Sequence, residues 1–414
     1  MANTRTPIGW QIYPLGFTGA PVRPADETER ELSHRLRHIG NWLDYVVRLG
    51  ADTVVLGPIF ASTSHGYDTV DFFTIDPRLG DDGDFDALVS GCRDRGLGLI
   101  LDGVFNHVGN QHPLFLEALG QGPDGDNAGM FAIDFDHDPP QPANFEGHPG
   151  LVEFNHQSKA VEDLVVEVMC HWLDKGATGW RLDAVYSVPA EFWPPVVERV
   201  RAAHPEAIIF GEMIHGDYAG YVSASGIDSV TEYELWKAVW SSLKENNFYE
   251  LQWTLQRHNG FTEAFTPVTF IGNHDTTRIA TFVGLKKAVV AAAILFTVSG
   301  HPIVYYGDEL GWEAEKEEKL GGDDQVRPMY PATPDDIDPG QTWMLDIYRE
   351  LIALRRNRPW LTDAVVADVD IDNTVYTYTC TGKDDGQQIT VTVRSGDAPS
   401  VTVSENGHEI FSFS

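Results

Sequence analysis

The sequence predicts an α/β fold: a (β/α)8 TIM barrel with a short inserted subdomain after strand three and a small carboxy-terminal antiparallel β-domain. Three observations predict it. Eight short apolar segments end in polar or small residues and alternate with helical patterns, as buried parallel strands do. A stretch rich in Gly, Pro, Asp and Asn follows the third segment. Near residue 362 apolar and polar residues begin to alternate, which is typical of antiparallel strands.

The eight predicted strands fall within about 300 residues, which favours a closed barrel over an open doubly wound sheet. After the third strand, apolar residues from Val161 to Leu173 recur at helical spacing, and Gly176 follows as a helix C-cap would. This pattern predicts a helix laid on a sheet. In chain order the strands are IGWQIYPLGF (8–17), DTVVLGPIF (52–60), GLILDGVFNH (98–107), GWRLDAV (179–185), AIIFGEM (207–213), the weaker DSVTEY (228–233), FTPVTFIGNHD (265–275) and PIVYYGDE (302–309).

Two segments are too long to be ordinary connections between a strand and a helix. The first runs from about Gly109 to Gly150, and the second, Glu313 to Gln341, follows strand eight. Towards the carboxy terminus, VYTYTC, ITVTV, SVTV and EIFSFS alternate, and an Asn406-Gly407 pair suits a tight hairpin. We therefore predict barrel residues 1–108 and 151–361, an inserted subdomain at 109–150 and a β-domain at 362–414.

The composition excludes several classes of partner. The chain has 62 acidic and 29 basic residues and a formal net charge of −33, which repels nucleic acid and anionic membranes and favours a neutral or cationic partner. The terminus MANTRTPIGW lacks the apolar stretch of a secretory signal, and the longest apolar run, Ala288–Val298, is far shorter than the roughly 20 residues of a membrane span. The three cysteines are far apart in sequence and predict no disulfide framework. We therefore predict a cytoplasmic protein.

Polar residues close several of the predicted strands. In a parallel barrel the carboxyl ends of all strands open on one face, so residues far apart in sequence converge there. Carboxylates close to one another, to an arginine and to two histidines would perturb one another's pKa values strongly, and folds rarely retain such a group without chemical use. The residues are Asp102 and His107 at strand three, Arg181 and Asp183 at strand four, Glu212 at strand five, and His274 and Asp275 at strand seven.

Metal, serine or cysteine, and carboxylate chemistry make different demands on this face. The acid-rich segments GDDGDFD (80–86) and PDGDNAG (123–129) lack the final glutamate of a calcium loop, so no cofactor is predicted and a structural calcium stays open. No GxSxG elbow or well-placed cysteine supports nucleophilic serine or cysteine catalysis. An acid and a nucleophile acting on a glycosidic bond fit best, because the oxocarbenium-like transition state needs one proton donor and one anion.

At these residues the sequence resembles the α-amylase family of glycoside hydrolases, family 13. DGVFNH (102–107), GWRLDAV (179–185), GEM (211–213) and FIGNHD (270–275) occur in the order and at about the spacing of that family's four signature segments. The resemblance covers nearly the whole chain. It implies that Asp183 is the nucleophile, that Glu212 is the general acid and then base, and that Asp275 binds sugar hydroxyls in a retaining, double-displacement reaction.

The resemblance also implies roles for the surrounding residues. His107 and His274 would bond hydroxyls of the glucose before the cleaved bond, Tyr67 would stack beneath that ring, and Asp102 would organise the site. In LGGDDQVRPM, Asp324 and Arg327 resemble residues that contact the next sugar outward. From the charges alone we expect Arg181 to keep Asp183 ionised, and Glu212, crowded by anions, to hold its proton more tightly.

Departures from the family pattern bear on the substrate. Ala184 to Ser187 replace the lysine and histidine that help large secreted starch-degrading relatives hold long chains. LVEFNHQSKAVEDLV (151–165) is similar to the cyclomaltodextrinase, neopullulanase and maltogenic amylase branch, and Ala184 after the nucleophile goes with α-1,4 action. We therefore expect hydrolysis of α-1,4 bonds in short or cyclic malto-oligosaccharides. Cyclic maltosyl-maltose is a specific candidate, because WQIYPLGFTGAP (10–21) and GEMIHGDYAGY (211–221) resemble a compact group of that branch.

Other functions stay open at this stage. An α-glucosidase or transglucosylase acting on linear malto- or isomalto-oligosaccharides would use the same residues. A binding role without catalysis is known among relatives, but these have a membrane span and degraded catalytic positions. The oligomeric state, including a homodimer, is not fixed by the sequence.

Overall fold

The computed structural model describes residues 7–384 and 386–414 and contains the predicted barrel. Eight parallel strands make one sheet in the spatial order β6-β5-β4-β3-β2-β1-β8-β7. In chain order they are β1 Gly9–Ile12, β2 Thr53–Leu56, β3 Gly98–Gly103, β4 Gly179–Leu182, β5 Ile208–Gly211, β6 Ser229–Val230, β7 Val268–Phe270 and β8 His301–Tyr305. The predicted fold class is therefore confirmed.

The two ends of the sheet order meet, so the sheet is closed. A single parallel bridge joins Thr231, just after β6, to Val268 in β7. The next backbone N–H, that of Glu232, donates to the carbonyl of Val268 at 2.9 Å. Strand six is the least regular of the eight, with only two residues in strand conformation, which agrees with its weak sequence signal.

Thirteen α-helices accompany the strands in the described part of the chain. The first predicted strand segment contains both a strand and a short helix, because Pro14 fixes the φ angle that begins a helix. The helices are α1 Pro14–Phe17, α2 Leu36–Gly40, α3 Leu43–Leu49, α4 Asp82–Asp94, α5 Pro113–Gln121, α6 Lys159–Asp174, α7 Trp193–Ala203, α8 Tyr218–Ser225, α9 Tyr233–Glu245, α10 Tyr249–Ala264, α11 Ile279–Val283, α12 Leu285–Thr297 and α13 Thr342–Arg356. Within the described residues, none of these is long and apolar enough to cross a membrane.

The barrel strands are buried on both faces, as their apolar composition predicts. Successive residues separate into two cores because side chains alternate along a strand. Val54 and Leu101 face the helices and belong to the large outer core. Inside the barrel, a small separate core is formed by Val55, Ile100, Phe210, Val268 and Ile303.

Two irregular segments rise from the carboxyl ends of the strands. The segment predicted as an inserted subdomain contains α5 and two short strands, Ile133–Asp134 and Gln141–Pro142. A further antiparallel pair, His107–Gly109 with Leu151–Glu153, joins its two ends. The excursion after strand eight consists of short 3-10 turns between β8 and α13.

The carboxy-terminal strands form a five-stranded antiparallel sheet in sequence order. Its first strand begins after the 3-10 turn Pro359–Asp363, close to the predicted boundary. One face is buried and contacts α12, where the hydroxyls of Thr297 and Tyr378 are 2.9 Å apart. Positive φ angles at Asn406 and Gly407 make the predicted hairpin. The strands are β9 Val365–Ile371, β10 Val375–Thr381, β11 Gln388–Arg394, β12 Ser400–Glu405 and β13 His408–Phe413.

Candidate active site

One buried arginine joins three carboxylates at the carboxyl ends of strands β3, β4 and β5. Arg181 and Asp102 are register partners on neighbouring strands, and Arg181 Nη1 lies 2.6 Å from both Asp102 oxygens. The same atom is 3.2 Å from Asp183 Oδ1, and Nη2 is 2.9 Å from Glu212 Oε1. All four side chains are at least nine-tenths buried. The strand ends therefore converge as the sequence predicts.

The backbone turns sharply just after Asp183, and the turn brings two of its N–H groups to Glu212. Ala184 has φ 45° and ψ 40°, a left-handed conformation that is unusual for a residue with a Cβ. In this conformation the Ala184 N–H donates to Glu212 Oε2 at 3.2 Å. The next N–H, of Val185, donates to the Glu212 carbonyl at 3.0 Å. The strained turn thus ties the two predicted catalytic residues together.

The strain at Ala184 leads to a stability prediction. Replacing Ala184 with valine should lower the free energy of unfolding by about 1–3 kcal/mol, because a β-branched residue is strongly disfavoured at positive φ. Ala184→Gly is the matched control and should change it by less than about 1 kcal/mol, since glycine tolerates this conformation. Denaturant unfolding of the three proteins measures the differences. A valine variant as stable as the parent would show that the turn is not strained.

The opposite wall of the site comes from strand β7 and the segment after β8. Arg327 donates to Asp275 Oδ1 at 2.6 Å and to the His274 carbonyl at 2.9 Å. The His274 ring is parallel to that of Tyr67 with centroids 5.6 Å apart, and the Tyr67 hydroxyl bonds both His274 Nε2 and Asp102. This wall is therefore connected to the arginine-centred cluster through Tyr67.

A further histidine is fixed in its neutral form. Burial lowers the pKa of His107 to about 3. Its Nε2 lies 3.1 Å from the Tyr67 carbonyl, which requires the proton on that nitrogen, and Nδ1 receives the amide of Asn106 at 3.1 Å. The ring of Phe145, from the inserted segment, stacks on it at 4.7 Å.

The carboxylates differ strongly in their electrostatic environment. Burial and the neighbouring Glu212 raise the pKa of Asp183 well above its usual 3.8, and the charge of Arg181 does not offset them. Burial likewise raises the pKa of Asp102. Although burial acts in the same direction on Asp275, His274 and Arg327 outweigh it and hold the pKa of Asp275 well below 3.8.

The sequence leads us to expect that Arg181 keeps Asp183 ionised, but on balance the pKa of Asp183 is raised, not lowered. The physical reason is that Arg181 is shared: it contacts Asp102 and Glu212 more closely than it contacts Asp183. A single cation beside three buried carboxylates leaves a negative excess, which favours a proton retained within the cluster.

A cavity of about 410 Å³ borders this cluster. Predicted residues Tyr67, His107, Asp183, Glu212 and Asp275 lie on its wall. Residues from the inserted segment, the start of α9 and the loops after the strands complete the lining: Phe145, Glu146, Leu151, Ala184, Tyr186, Ile214, Tyr233, Trp236, Thr276 and Lys316. A second cavity of about 280 Å³ opens at the other end of the barrel, beside Val55 and Ile100, and has none of the predicted site residues on its wall.

One predicted site residue is not part of this arrangement. Asp324 is half exposed, and its carboxylate pairs with Arg23 at 2.9 Å. Its neighbour Asp323 is the residue beside Arg327, at 3.3 Å. Neither aspartate is among the residues that line the cavity, so contact of Asp324 with a sugar stays a prediction.

Two residues of the site, Tyr233 and Asn273, are not among those predicted from the sequence. The Tyr233 hydroxyl donates to Glu212 Oε1 at 3.0 Å, and Asn273 Nδ2 donates to the Tyr233 hydroxyl at 2.7 Å. A signal was available, since Tyr233 ends the sixth strand segment and Asn273 stands just before His274. The same rule that selects residues closing a strand selects both of them.

No catalytic metal cluster is found among the described residues of this cavity. Among all the described residues, one group of three candidate metal ligands is found, His34, Asp81 and Asp84, at the start of α4. There Asp81 and Asp84 form a capping box, and Asp84 is also paired with His34 and Arg37. The acid-rich segment 80–86 is thus used to begin a helix.

Comparison with known proteins decides the family. Residues 11–339 match the family model described as alpha amylase, catalytic domain. The chain belongs to the α-amylase family. That match covers the barrel with its inserted segment and ends shortly before α13.

Relatives of this α-amylase family chain have been characterised. Neopullulanase 2 of Thermoactinomyces vulgaris is 30% identical over 85% of this chain and 63% of its own length. A cyclomaltodextrinase of Bacillus sp is 31% identical over 73% of this chain and 59% of its own. The chain thus spans about three fifths of the length of these relatives.

A solved structure of similar size matches almost the whole of this family member. The cyclic α-maltosyl-(1→6)-maltose hydrolase from Arthrobacter globiformis, in complex with cyclic α-maltosyl-(1→6)-maltose, superposes with a TM-score of 0.81. It is 25% identical, and the match covers 96% of this chain and 92% of that one. The ligand-free form of the same hydrolase gives 0.80.

Proposed function

We propose that the protein is a retaining glycoside hydrolase that cleaves α-1,4-glucosidic bonds in short or cyclic malto-oligosaccharides. The observation that carries this proposal is the contact of Arg181 with both Asp183 and Glu212. Two carboxylates that contact the same guanidinium lie close together. In a retaining enzyme the two carboxyl groups are roughly 5–5.5 Å apart, whereas in an inverting enzyme they are roughly 6.5–9.5 Å apart to leave room for a water.

The first chemical step joins the sugar to the protein. Asp183 attacks the anomeric carbon while Glu212 gives its proton to the departing glycosidic oxygen, so the bond to the leaving sugar breaks as the ester bond forms. Positive charge that develops on the sugar ring favours the ionised form of Asp183. The proton retained within the carboxylate cluster is then carried by Glu212. Asp275, held ionised by Arg327 and His274, bonds ring hydroxyls and stabilises the same charge.

The second step releases the sugar with the configuration retained. Glu212, now ionised, removes a proton from a water that attacks the anomeric carbon, and Asp183 leaves as a carboxylate. A sugar hydroxyl in the place of that water would give transfer instead of hydrolysis. Tyr186, Ile214 and Trp236 line the cavity around Glu212 and offer an apolar surface for such an acceptor.

The substrate class is proposed from the relatives and from the cavity. Neopullulanase, cyclomaltodextrinase and the hydrolase of cyclic maltosyl-maltose are all similar to this chain. A cavity of about 410 Å³, bounded on one side by the inserted segment, suits a short or strongly curved α-glucan. A neutral sugar also agrees with the net charge of −33. We further propose that the chemistry requires no metal, because Asp183 and Glu212 supply the nucleophile and the proton, and that the protein acts in the cytoplasm.

A panel of substrates tests this function. Incubation with cyclic maltosyl-maltose, cyclodextrins and maltotriose should release reducing sugar from at least one of them, with the cyclic tetrasaccharide opened efficiently. Proton NMR during the first minutes should show the product as the α-anomer, since two displacements restore the configuration. Absence of release from every α-glucan would overturn the enzyme assignment, and an initial β-anomer would overturn the retaining mechanism.

A further inference from the structure

The two oxygens of the Glu212 carboxyl have different surroundings. Oε1 accepts the Tyr233 hydroxyl at 3.0 Å and forms an ion pair with Arg181 Nη2 at 2.9 Å. Among the described residues, the backbone N–H of Ala184 is the one donor to Oε2, at a longer 3.2 Å. A carboxyl oxygen that already accepts a hydrogen bond and faces a guanidinium charge is a poor position for a proton.

The direction of the tyrosine hydrogen bond is fixed by its neighbours. The backbone N–H of Asp275 donates to Asn273 Oδ1 at 2.9 Å, which assigns oxygen and nitrogen of that amide. Asn273 Nδ2 must then be the donor to the Tyr233 oxygen at 2.7 Å. The phenolic hydrogen of Tyr233 is therefore directed to Glu212, which is its only acceptor among the described residues.

Tyr233 is held firmly in this position. Its ring meets Phe270 of β7 edge to face at 4.8 Å. The preceding residue, Glu232, is buried and accepts from His258 Nδ1 at 2.7 Å, while His258 Nε2 lies 2.7 Å from the Ser299 hydroxyl. The hydroxyl is thus positioned by a strand, two helices and a buried polar chain.

We propose that Tyr233 is a positioning residue that, with Arg181, excludes the proton from Oε1 of Glu212 and places it on Oε2. Oε2 is the oxygen on the side of Ala184, the residue that follows the nucleophile. The catalytic proton would then always start from the same atom, aimed at the leaving oxygen. This inference rests on the proposed glycosidase function and adds to it the source of the acid's orientation.

The test compares Tyr233→Phe with Tyr348→Phe. Tyr348 is a suitable control, because it is also fully buried but its hydroxyl has no hydrogen-bond partner among the described residues. On cyclic maltosyl-maltose or maltotriose, kcat of Tyr233→Phe should fall about 10- to 100-fold, part of the roughly 10²–10⁴-fold that a general acid contributes. On a nitrophenyl α-maltoside, whose leaving group needs little protonation, the first step should change less than about threefold.

A pH profile separates positioning from a merely structural role. Loss of the donor disfavours the ionised carboxylate, so the alkaline limb of kcat/KM for the natural substrate should move to higher pH in Tyr233→Phe and stay in place in Tyr348→Phe. Thermal unfolding confirms that both variants fold. Should Tyr233→Phe fail to fold, Asn273→Ala, which frees the hydroxyl to turn away from Glu212, should give the same selective loss.

The outcomes are distinguishable. If the parent protein hydrolyses no α-glucan, the proposed function fails. If the parent is active and Tyr233→Phe matches it on all substrates, the inference fails while the function stands. An equal loss on natural and activated substrates with an unmoved alkaline limb also overturns the inference, because it would mean general damage to the site.

Discussion

Replacing Asp183 with asparagine should abolish turnover and at the same time make the folded protein more stable. The amide cannot attack the anomeric carbon, so kcat on malto-oligosaccharides should fall at least about 10³-fold. The gain in stability should be about 1 kcal/mol at neutral pH, the usual size of a single stabilising substitution. It arises because Asp183 is buried among like charges, while Arg181 keeps Asp102 and Glu212 as partners in the variant.

The pH dependence of this gain has a definite sign. Burial and Glu212 raise the pKa of Asp183 above 3.8 in the folded state, so the folded protein binds this proton more tightly than the unfolded chain. The carboxyl therefore costs stability progressively as the pH rises above 3.8. Melting temperatures of variant and parent should differ at pH 7 and converge towards pH 4. The exposed Asp324→Asn is the control, and a melting temperature of Asp183→Asn below that of the parent at pH 7 would contradict the electrostatic account.

Replacing Glu212 with glutamine should separate the two chemical steps. The glutamine cannot protonate a sugar leaving group, so kcat on natural oligosaccharides should fall about 10²–10⁴-fold. A nitrophenyl α-maltoside should still react in the first step, giving a burst of nitrophenol followed by slow turnover, because no base activates the water.

Azide provides a second check on this role. As an anion it needs no general base, so it should restore turnover of the activated substrate by Glu212→Gln and give an α-configured glycosyl azide. The same addition to Asp183→Asn should give the β-configured product, because azide then attacks the substrate directly. Azide products of the same configuration from both variants would show that the two roles are misassigned.

The sequence predicted the site best where a residue closes a barrel strand. Asp102, Arg181, Asp183 and Glu212 converge because the parallel arrangement places all carboxyl ends on one face, and this needs no knowledge of the loops. Asp324 lies in an irregular turn, where one residue of displacement along the chain reverses the direction of the side chain. Only the structure shows that Asp323, and not Asp324, lies beside Arg327.

The electrostatics were harder to predict than the positions. Spacing along the chain places Arg181 and Asp183 on the same side of a strand, but it does not show which carboxylate the guanidinium contacts most closely. That depends on the register of β3 against β4, which brings Asp102 opposite the arginine. The left-handed turn at Ala184 could not be predicted from the sequence either, because a positive φ angle is typical of glycine and not of alanine.

Closure of the barrel between strands β6 and β7 has a mechanical consequence. Most neighbouring strands share three or four register pairs, but this junction consists of one bridge, Thr231 with Val268, and the hydrogen bond from Glu232. This is the weakest junction between neighbouring strands of the barrel, and Tyr233 is the first residue after it. Local opening between β6 and β7 would therefore weaken the hydrogen bond from Tyr233 to Glu212 before the rest of the barrel unfolds. On heating, the orientation of the Glu212 carboxyl should be lost at a lower temperature than the fold.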